Sequence, residues 1–207
     1  MPSAGYIQAY PPGIRENGGQ YSHAGVWAMM AQADFASRHR VSDEDKDLAY
    51  QYFTYLSPAH RAQRPAEGAV YGIEPYVMAG DVYSQPPYVG RGGWSWYTGS
   101  AAWMHRAAFE SIFGLQWGAQ ELTFIPCLPS HWDRAELTLK RDGRSMRFIL
   151  LRATPTAALS ATAPSNARPL APGQRLRWVD LAVRSCFVIA LQDEARTLRV
   201  AADEVLP

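Results

Sequence analysis

From Ala24 to Phe35 the chain repeats apolar residues at helical spacing, so that Ala24, Trp27, Ala28, Ala31 and Phe35 fall on one predicted face of an amphipathic helix. The pattern predicts a helix with His23 in its first turn, running to about Ser37. The basic cluster Arg38-His39-Arg40 ends it, in keeping with the negative end of the helix dipole. A second helix is predicted after Ser42, which makes a capping-box pattern with Asp45. Leu48, Tyr52 and Tyr55/Leu56 form its apolar stripe, and Ser57-Pro58 stops it. Residues 58–73, punctuated by Pro58, Pro65, Gly68 and Gly72, read as a largely polar loop. Tyr76 to Tyr83 fits helix and extended chain equally well. A third helix is predicted over Ala101 to Phe113, with Ala101, Met104, Ala108 and Ile112 inward and Gly114 as its C-cap.

From Leu115 onward the period becomes alternating. Leu137 and Leu139 interleave with Glu136, Thr138 and Lys140, Asp142-Gly143 supplies a two-residue turn, and Met146, Phe148 and Leu150 interleave on the return, which predicts a hairpin. Residues 154–175, rich in Ala, Pro, Thr and Ser, predict a long surface connection or a degenerate strand region. Arg177 to Leu191 predicts one or two further strands, with Val179, Leu181 and Val183 on one face. Helices to about residue 114 followed by strands is the pattern of an α+β chain with segregated parts, divided here as 1–116 and 117–207.

Composition narrows the function. With 47% hydrophobic and 12% aromatic residues, the 207-residue chain is rich enough to bury a core and too apolar for disorder. The net charge of +1 gives no basic field for nucleic acid, and a small neutral ligand fits better. Cys127 and Cys186 form no CxxC pair, so neither a disulfide scaffold nor a zinc site is expected, and no metal site is assigned. No apolar run reaches membrane-spanning length and no basic-then-apolar signal segment opens the chain, so a soluble, cytoplasmic chain is expected. The seven Trp and eleven Tyr either fill the core or form platforms for the apolar faces of sugar rings.

Two stretches carry candidate chemistry. In Arg15-Glu16-Asn17-Gly18-Gly19-Gln20-Tyr21-Ser22-His23, the Asn-Gly-Gly turn admits backbone conformations that let polar groups on both sides converge. Thr98-Gly99-Ser100 likewise opens a helix. The free N–H groups and partial positive charge of a helix start stabilise a phosphate or similar oxyanion, and Gly99 admits close approach. The plainer reading stays open: a tight connection, Ser22 as an N-cap and His23 as a hydrogen-bonded structural residue. Gly90-Arg91-Gly92-Gly93 lacks the Gly-Lys-Ser/Thr ending of a P-loop, which excludes a nucleotide reading. Ser22, His23 and Asp81 supply the residue types of a nucleophilic triad, but no nucleophile elbow is present.

Four segments together resemble a known family: Tyr10-Pro11-Pro12-Gly13-Ile14-Arg15-Glu16-Asn17-Gly18-Gly19-Gln20-Tyr21-Ser22-His23-Ala24, Glu74-Pro75-Tyr76-Val77, Asp81-Val82-Tyr83-Ser84, and Gly90 through Ala101. They resemble the C-terminal region of cyclic β-1,2-glucan synthases, which is similar to the inverting phosphorylases of glycoside hydrolase family 94. The resemblance runs from about Gly5 to about Asp133. It implies the C-terminal part of an (α/α)6 barrel followed by a small antiparallel β-sandwich, and phosphorolysis of β-glucosidic bonds with inversion. It implies phosphate contacts from His23, Thr98 and Gly99, and sugar contacts from Arg15, Glu16, Asp81, Trp94 and Trp96. Gly80-Asp81 stand where the disaccharide phosphorylases place a sugar-holding Gln.

The family's general-acid Asp lies well upstream of the Arg-Glu-Asn-Gly-Gly motif, and no Asp of this chain matches it. The resemblance therefore implies no catalytic residue here and a fragment inactive alone, an upstream polypeptide supplying the rest of the barrel. Inorganic phosphate is implied as co-substrate and a β-glucan oligosaccharide as partner, with no cofactor; full-length relatives are associated with the inner membrane. A non-catalytic β-glucan-binding module and an inert remnant are the alternatives.

Overall fold

The computed structural model describes residues 3–39, 42–153 and 164–191. The chain divides into two compact units, Met1–Ile112 and Phe113–Pro207. In the first unit a short strand β1 (Gln20–Tyr21) runs directly into helix α1 (Ser22–Arg38), which packs along α2 (Asp43–Leu56). The stripe that α1 buries is Ser22, Val26, Met29, Ala33 and Ala36. This differs from the expected face: Trp27 and Phe35 stand exposed, because the smaller residues fit the close approach of α2 and α5. Three acidic residues, Asp43, Glu44 and Asp45, open α2 at the positive end of its dipole. The Ser42 hydroxyl donates to the Asp45 carboxylate (3.2 Å) instead of closing a capping box with the backbone.

Residues 58–73 are not the expected loop. They hold two short helices, α3 (Pro58–Arg61) and α4 (Pro65–Tyr71), each with a proline in its first turn, where a missing N–H costs nothing. The chain then extends through two-residue strands β2 (Asp81–Val82) and β3 (Gly92–Gly93), which with β1 form a sheet of order β1-β2-β3, before α5 (Thr98–Arg106). A π-helical turn, Ala107–Ile112, follows α5 without a break. Ala107, three residues after Met104, is buried where Ala108 was expected, and the wider winding of the turn then brings Ile112, five residues on, to the same face.

In the second unit the expected hairpin is β6 (Arg134–Arg141) and β7 (Arg144–Leu151), following β4 (Leu115–Trp117) and β5 (Glu121–Phe124). Its register pairs Leu137 with Phe148 and Leu139 with Met146 around Asp142-Gly143. Three more strands are β8 (Arg168–Leu170), β9 (Leu176–Arg177) and β10 (Arg184–Ala190). One sheet has the order β6-β7-β10-β8, with β10 parallel to both neighbours, and the other is antiparallel, β4-β5-β9. The larger sheet is therefore mixed where an antiparallel one was expected. Long connections from β7 and from β8 to β10 give the chain room to return in parallel. Phe148 joins the parts of this core, with its ring 4.5 Å from Phe124 and stacked 5.3 Å from Phe187. Val179 and Val183 are exposed while Leu181 is buried, because a 3-10 turn at Trp178–Asp180 interrupts the expected alternation. Residues 154–163 of the predicted connection lie outside the described residues. Among the described residues no helix is long and apolar enough to cross a membrane.

Candidate functional site

Val77 to Asp81, within the Tyr76–Tyr83 segment whose conformation periodicity leaves undecided, is buried and works as a backbone bracket. The Tyr97 N–H donates to Met78 O (3.0 Å) and the Ser22 N–H to Gly80 O (2.9 Å). The Ser100 hydroxyl donates to Ala79 O (3.4 Å), and the Gly80 N–H reaches both Gly93 O and Trp94 O (2.9 Å each). The starts of α1 and α5 thus hang on three consecutive carbonyls.

Their side chains meet in consequence. A Cβ placed on Gly99 would stand 3.5 Å from His23 Cε1 and 3.8 Å from Nδ1, so the imidazole of the first α1 turn lies against the first turn of α5. Neither helix start is capped by a side chain; the residues preceding the helices are Tyr21 and Tyr97, not Ser22. The first intrahelical bond of α5 is donated by Ala101 to Tyr97 O (3.1 Å), which leaves the amides of Thr98, Gly99 and Ser100 ahead of the ladder. Thr98 and Gly99 are exposed. His23 Nε2 is buried without a hydrogen-bond partner among the described residues, and the ring is edged by Trp27 (4.9 Å) and Trp103 (6.2 Å). Free amides at a helix start beside an imidazole with an unused nitrogen can bind an oxyanion.

The Arg15 to Gly19 turn forms the neighbouring wall. Arg15 is only 8% exposed, and its N–H donates to Asp81 Oδ2 at 2.6 Å. Its guanidinium carbon lies 3.7 Å from the Trp94 ring centroid, and Nη2 is buried without a partner among the described residues. Arg15, Trp94 and Trp96 all adopt positive φ (49°, 59° and 59°), a conformation that residues with a Cβ hold only when their surroundings impose it. For Arg15 the imposing contacts are the Asp81 bond and the closure of the turn from Gly19 N–H to Arg15 O (2.8 Å). The turn itself needs its glycines: Gly18 has φ 90°, and a Cβ on Gly19 would fall 2.6 Å from Arg15 N.

Asp81 is 1% exposed, and burial pushes its carboxyl above the usual carboxylate range, opposed by the Arg15 N–H and guanidinium and reinforced by Glu16. Among the sugar candidates, Glu16, Trp94 and Trp96 are open to solvent, whereas Asp81 lies beneath them as the anchor of the Arg15 turn. Tyr21 and Tyr97 were missed by the sequence reading. Their hydroxyls bond at 3.0 Å, and that bond, with burial, pushes the Tyr21 phenol up to about 12. Their placement next to His23 and Thr98 was the available signal. A separate cavity of about 650 Å³, lined by Tyr55, His60, Arg61, Glu67 and Val70 among others, includes none of the candidate sugar or phosphate residues.

The family profile described as "Glycosyl hydrolase 94 superfamily, catalytic domain" matches residues 2–114. The chain is 41% identical over 148 residues to the cyclic beta-(1,2)-glucan synthase NdvB of Rhizobium meliloti (strain 1021), covering 72% of this chain and 5% of that protein. It is 29% identical over 150 residues to solabiose phosphorylase of Paenibacillus borealis, covering 72% of this chain and 18% of the relative. It is 28% identical over 143 residues to N,N'-diacetylchitobiose phosphorylase of Vibrio furnissii, covering 67% and 16%. The chain thus spans less than a fifth of the length of each of these relatives.

Proposed function

Because the chain belongs to the glycosyl hydrolase 94 superfamily, we propose that its first unit supplies the phosphate site and part of the sugar site of an inverting glucan phosphorylase-type enzyme. The observation that carries this reading is the imidazole of His23 set against Gly99 at the start of α5. Inorganic phosphate bound there, as co-substrate, takes hydrogen bonds from the Thr98 hydroxyl, the leading amides of α5 and the His23 imidazole. Glu16 grips hydroxyls of the glucosyl ring next to the scissile bond, and Trp94 and Trp96 shape the cleft. Asp81 serves the sugar side by holding Arg15 in place.

In the reaction so proposed, a phosphate oxygen attacks the anomeric carbon as the glycosidic C–O bond breaks. A carboxylic acid on the opposite face protonates the leaving oxygen. The resemblance to the family sets that acid upstream of the Arg15–Gly19 motif, and this reading takes the proton from there. The same reading makes the helical unit the C-terminal part of an (α/α)6 barrel and the strand-rich unit its appended β-sandwich. The exposed face of α1 at Ala24, Trp27, Ala28, Ala31 and Phe35 supports the first part, since it offers a further helix layer an apolar seat. The substrate is a β-linked glucan oligosaccharide, and the chain alone turns none of it over.

Isothermal titration with inorganic phosphate and with a β-1,2-linked gluco-oligosaccharide tests the proposal. Phosphate is expected to bind at one site, and Thr98→Val, which removes a donor and keeps the shape, to cost about 1 kcal/mol of that affinity. Glu16→Gln is expected to weaken sugar binding and spare phosphate. Glucan binding with no phosphate binding at all would identify a glucan-binding module instead.

A further inference from the structure

We infer that Tyr21 and Tyr97 are positioning residues for the oxyanion site, their mutual hydroxyl bond setting the gap between the start of α1, which carries His23, and the start of α5, which carries Thr98 and Gly99. The inference rests on the phosphate reading above and adds to it what fixes the site's width. Each tyrosine is the residue immediately before its helix, and neither helix has a side-chain cap. On the backbone side both starts hang on Met78 and Gly80 carbonyls, which are two residues apart. A backbone bracket holds the two chains at one edge and leaves their side chains free to splay. The 3.0 Å bond between the two hydroxyls is a second tie, and it joins side chains of the two starts directly.

The pair also stands between the two halves of the site. Tyr21 and Tyr97 have rings 6.4 and 6.3 Å from the His23 imidazole, and the Arg15 guanidinium carbon is 5.9 Å from each of them. In a bonded hydroxyl pair one phenol donates to the other, and the accepting phenol keeps its own proton for a further acceptor. The groups that bear on this pair are Arg15, Glu16 and His23. Arg15 favours ionisation of Tyr21, while the Tyr97 bond, burial and Glu16 oppose it more strongly, so Tyr21 keeps its proton through the neutral range.

The test uses the 207-residue chain with Tyr21→Phe, Tyr97→Phe and the double variant, each keeping its ring packing. Phosphate affinity is measured by calorimetry, folding by thermal unfolding, and tyrosine ionisation by the ultraviolet absorbance of tyrosinate. Each single change is expected to weaken phosphate binding roughly fivefold, the worth of one hydrogen bond. The double variant is expected to lose no more than either single one, because one bond is lost in all three. In Tyr97→Phe, Tyr21 is expected to ionise at lower pH than its wild-type value of about 12. Variants that melt earlier yet bind phosphate like the wild type would overturn the inference and leave a merely structural bond. Losses that add in the double variant would overturn it too. A wild-type chain that binds no phosphate overturns the site reading itself and the inference with it, and the tyrosinate titration then still reports whether the pair exists.

Discussion

Replacing Gly99 with alanine separates folding from binding at one atom. The added methyl would meet His23 Cε1 at 3.5 Å and Nδ1 at 3.8 Å, ordinary van der Waals contacts that require no shift in the unliganded chain. Gly99 is the second residue of α5 and carries no positive φ, so alanine suits its backbone and lowers the entropy of the unfolded chain. The folded state should gain about 0.4–1 kcal/mol. An oxyanion held by both the imidazole and the leading amides needs donor distances near 2.7–2.9 Å, in the space this methyl would fill. Loss of one charge-assisted hydrogen bond costs about 1.5–3 kcal/mol, a drop in phosphate affinity of roughly tenfold to a hundredfold. Thermal unfolding and calorimetric titration on one preparation read both effects. Phosphate affinity unchanged in Gly99→Ala would refute the placement of the anion between His23 and α5.

Asp81 has a pKa raised by burial, so over the window above the ordinary aspartate value the folded chain keeps a proton that the unfolded chain has lost. Its contribution to stability therefore falls as pH rises through that window, and urea unfolding of Asp81→Asn should show a flatter pH slope than the wild type. Gly114 has φ 80°, and a Cβ there would lie 2.2 Å from Ile125 O, so Gly114→Ala should destabilise the chain by on the order of 3 kcal/mol or more in denaturant unfolding. Phe148, fully buried against Phe124 and Phe187, should cost about 3–5 kcal/mol on truncation to alanine, read in the same unfolding experiment.

The parts of this fold governed by local chemistry were legible in the sequence. The length of α1 and the register of the β6–β7 hairpin follow from periodicity and from Asp142-Gly143. What depends on partners was not. Trp27 and Phe35 read as the inward face by helical spacing, yet α2 and α5 approach the stripe of Ser22, Val26, Met29, Ala33 and Ala36. Pro58 and Pro65 read as breakers although each begins a helix, since a proline is tolerated at that one helical position. The parallel seat of β10 is chosen by its neighbours, and the signal in its own residues was the unbroken apolar run Cys186 to Ala190 in place of alternation. In the candidate site, the motifs pointed to His23, Thr98, Gly99, Trp94 and Trp96, and the structure sets His23 against Gly99 and Trp94 against Arg15. The Arg15–Asp81 bond spans 66 residues of chain, and the positive φ of Arg15 follows from that distant contact, so neither could be read from spacing.

The most direct test of the account is a nuclear magnetic resonance titration of the labelled 207-residue chain with inorganic phosphate. It would follow the backbone amides of Thr98, Gly99 and Ser100 together with the His23 imidazole nitrogens. The account predicts that these signals shift in one saturable process with a single dissociation constant, while the amides lining the Tyr55–Val70 cavity stay where they are. Shifts at α5 that leave His23 unmoved, or a saturable response confined to any other surface, would contradict a shared phosphate site.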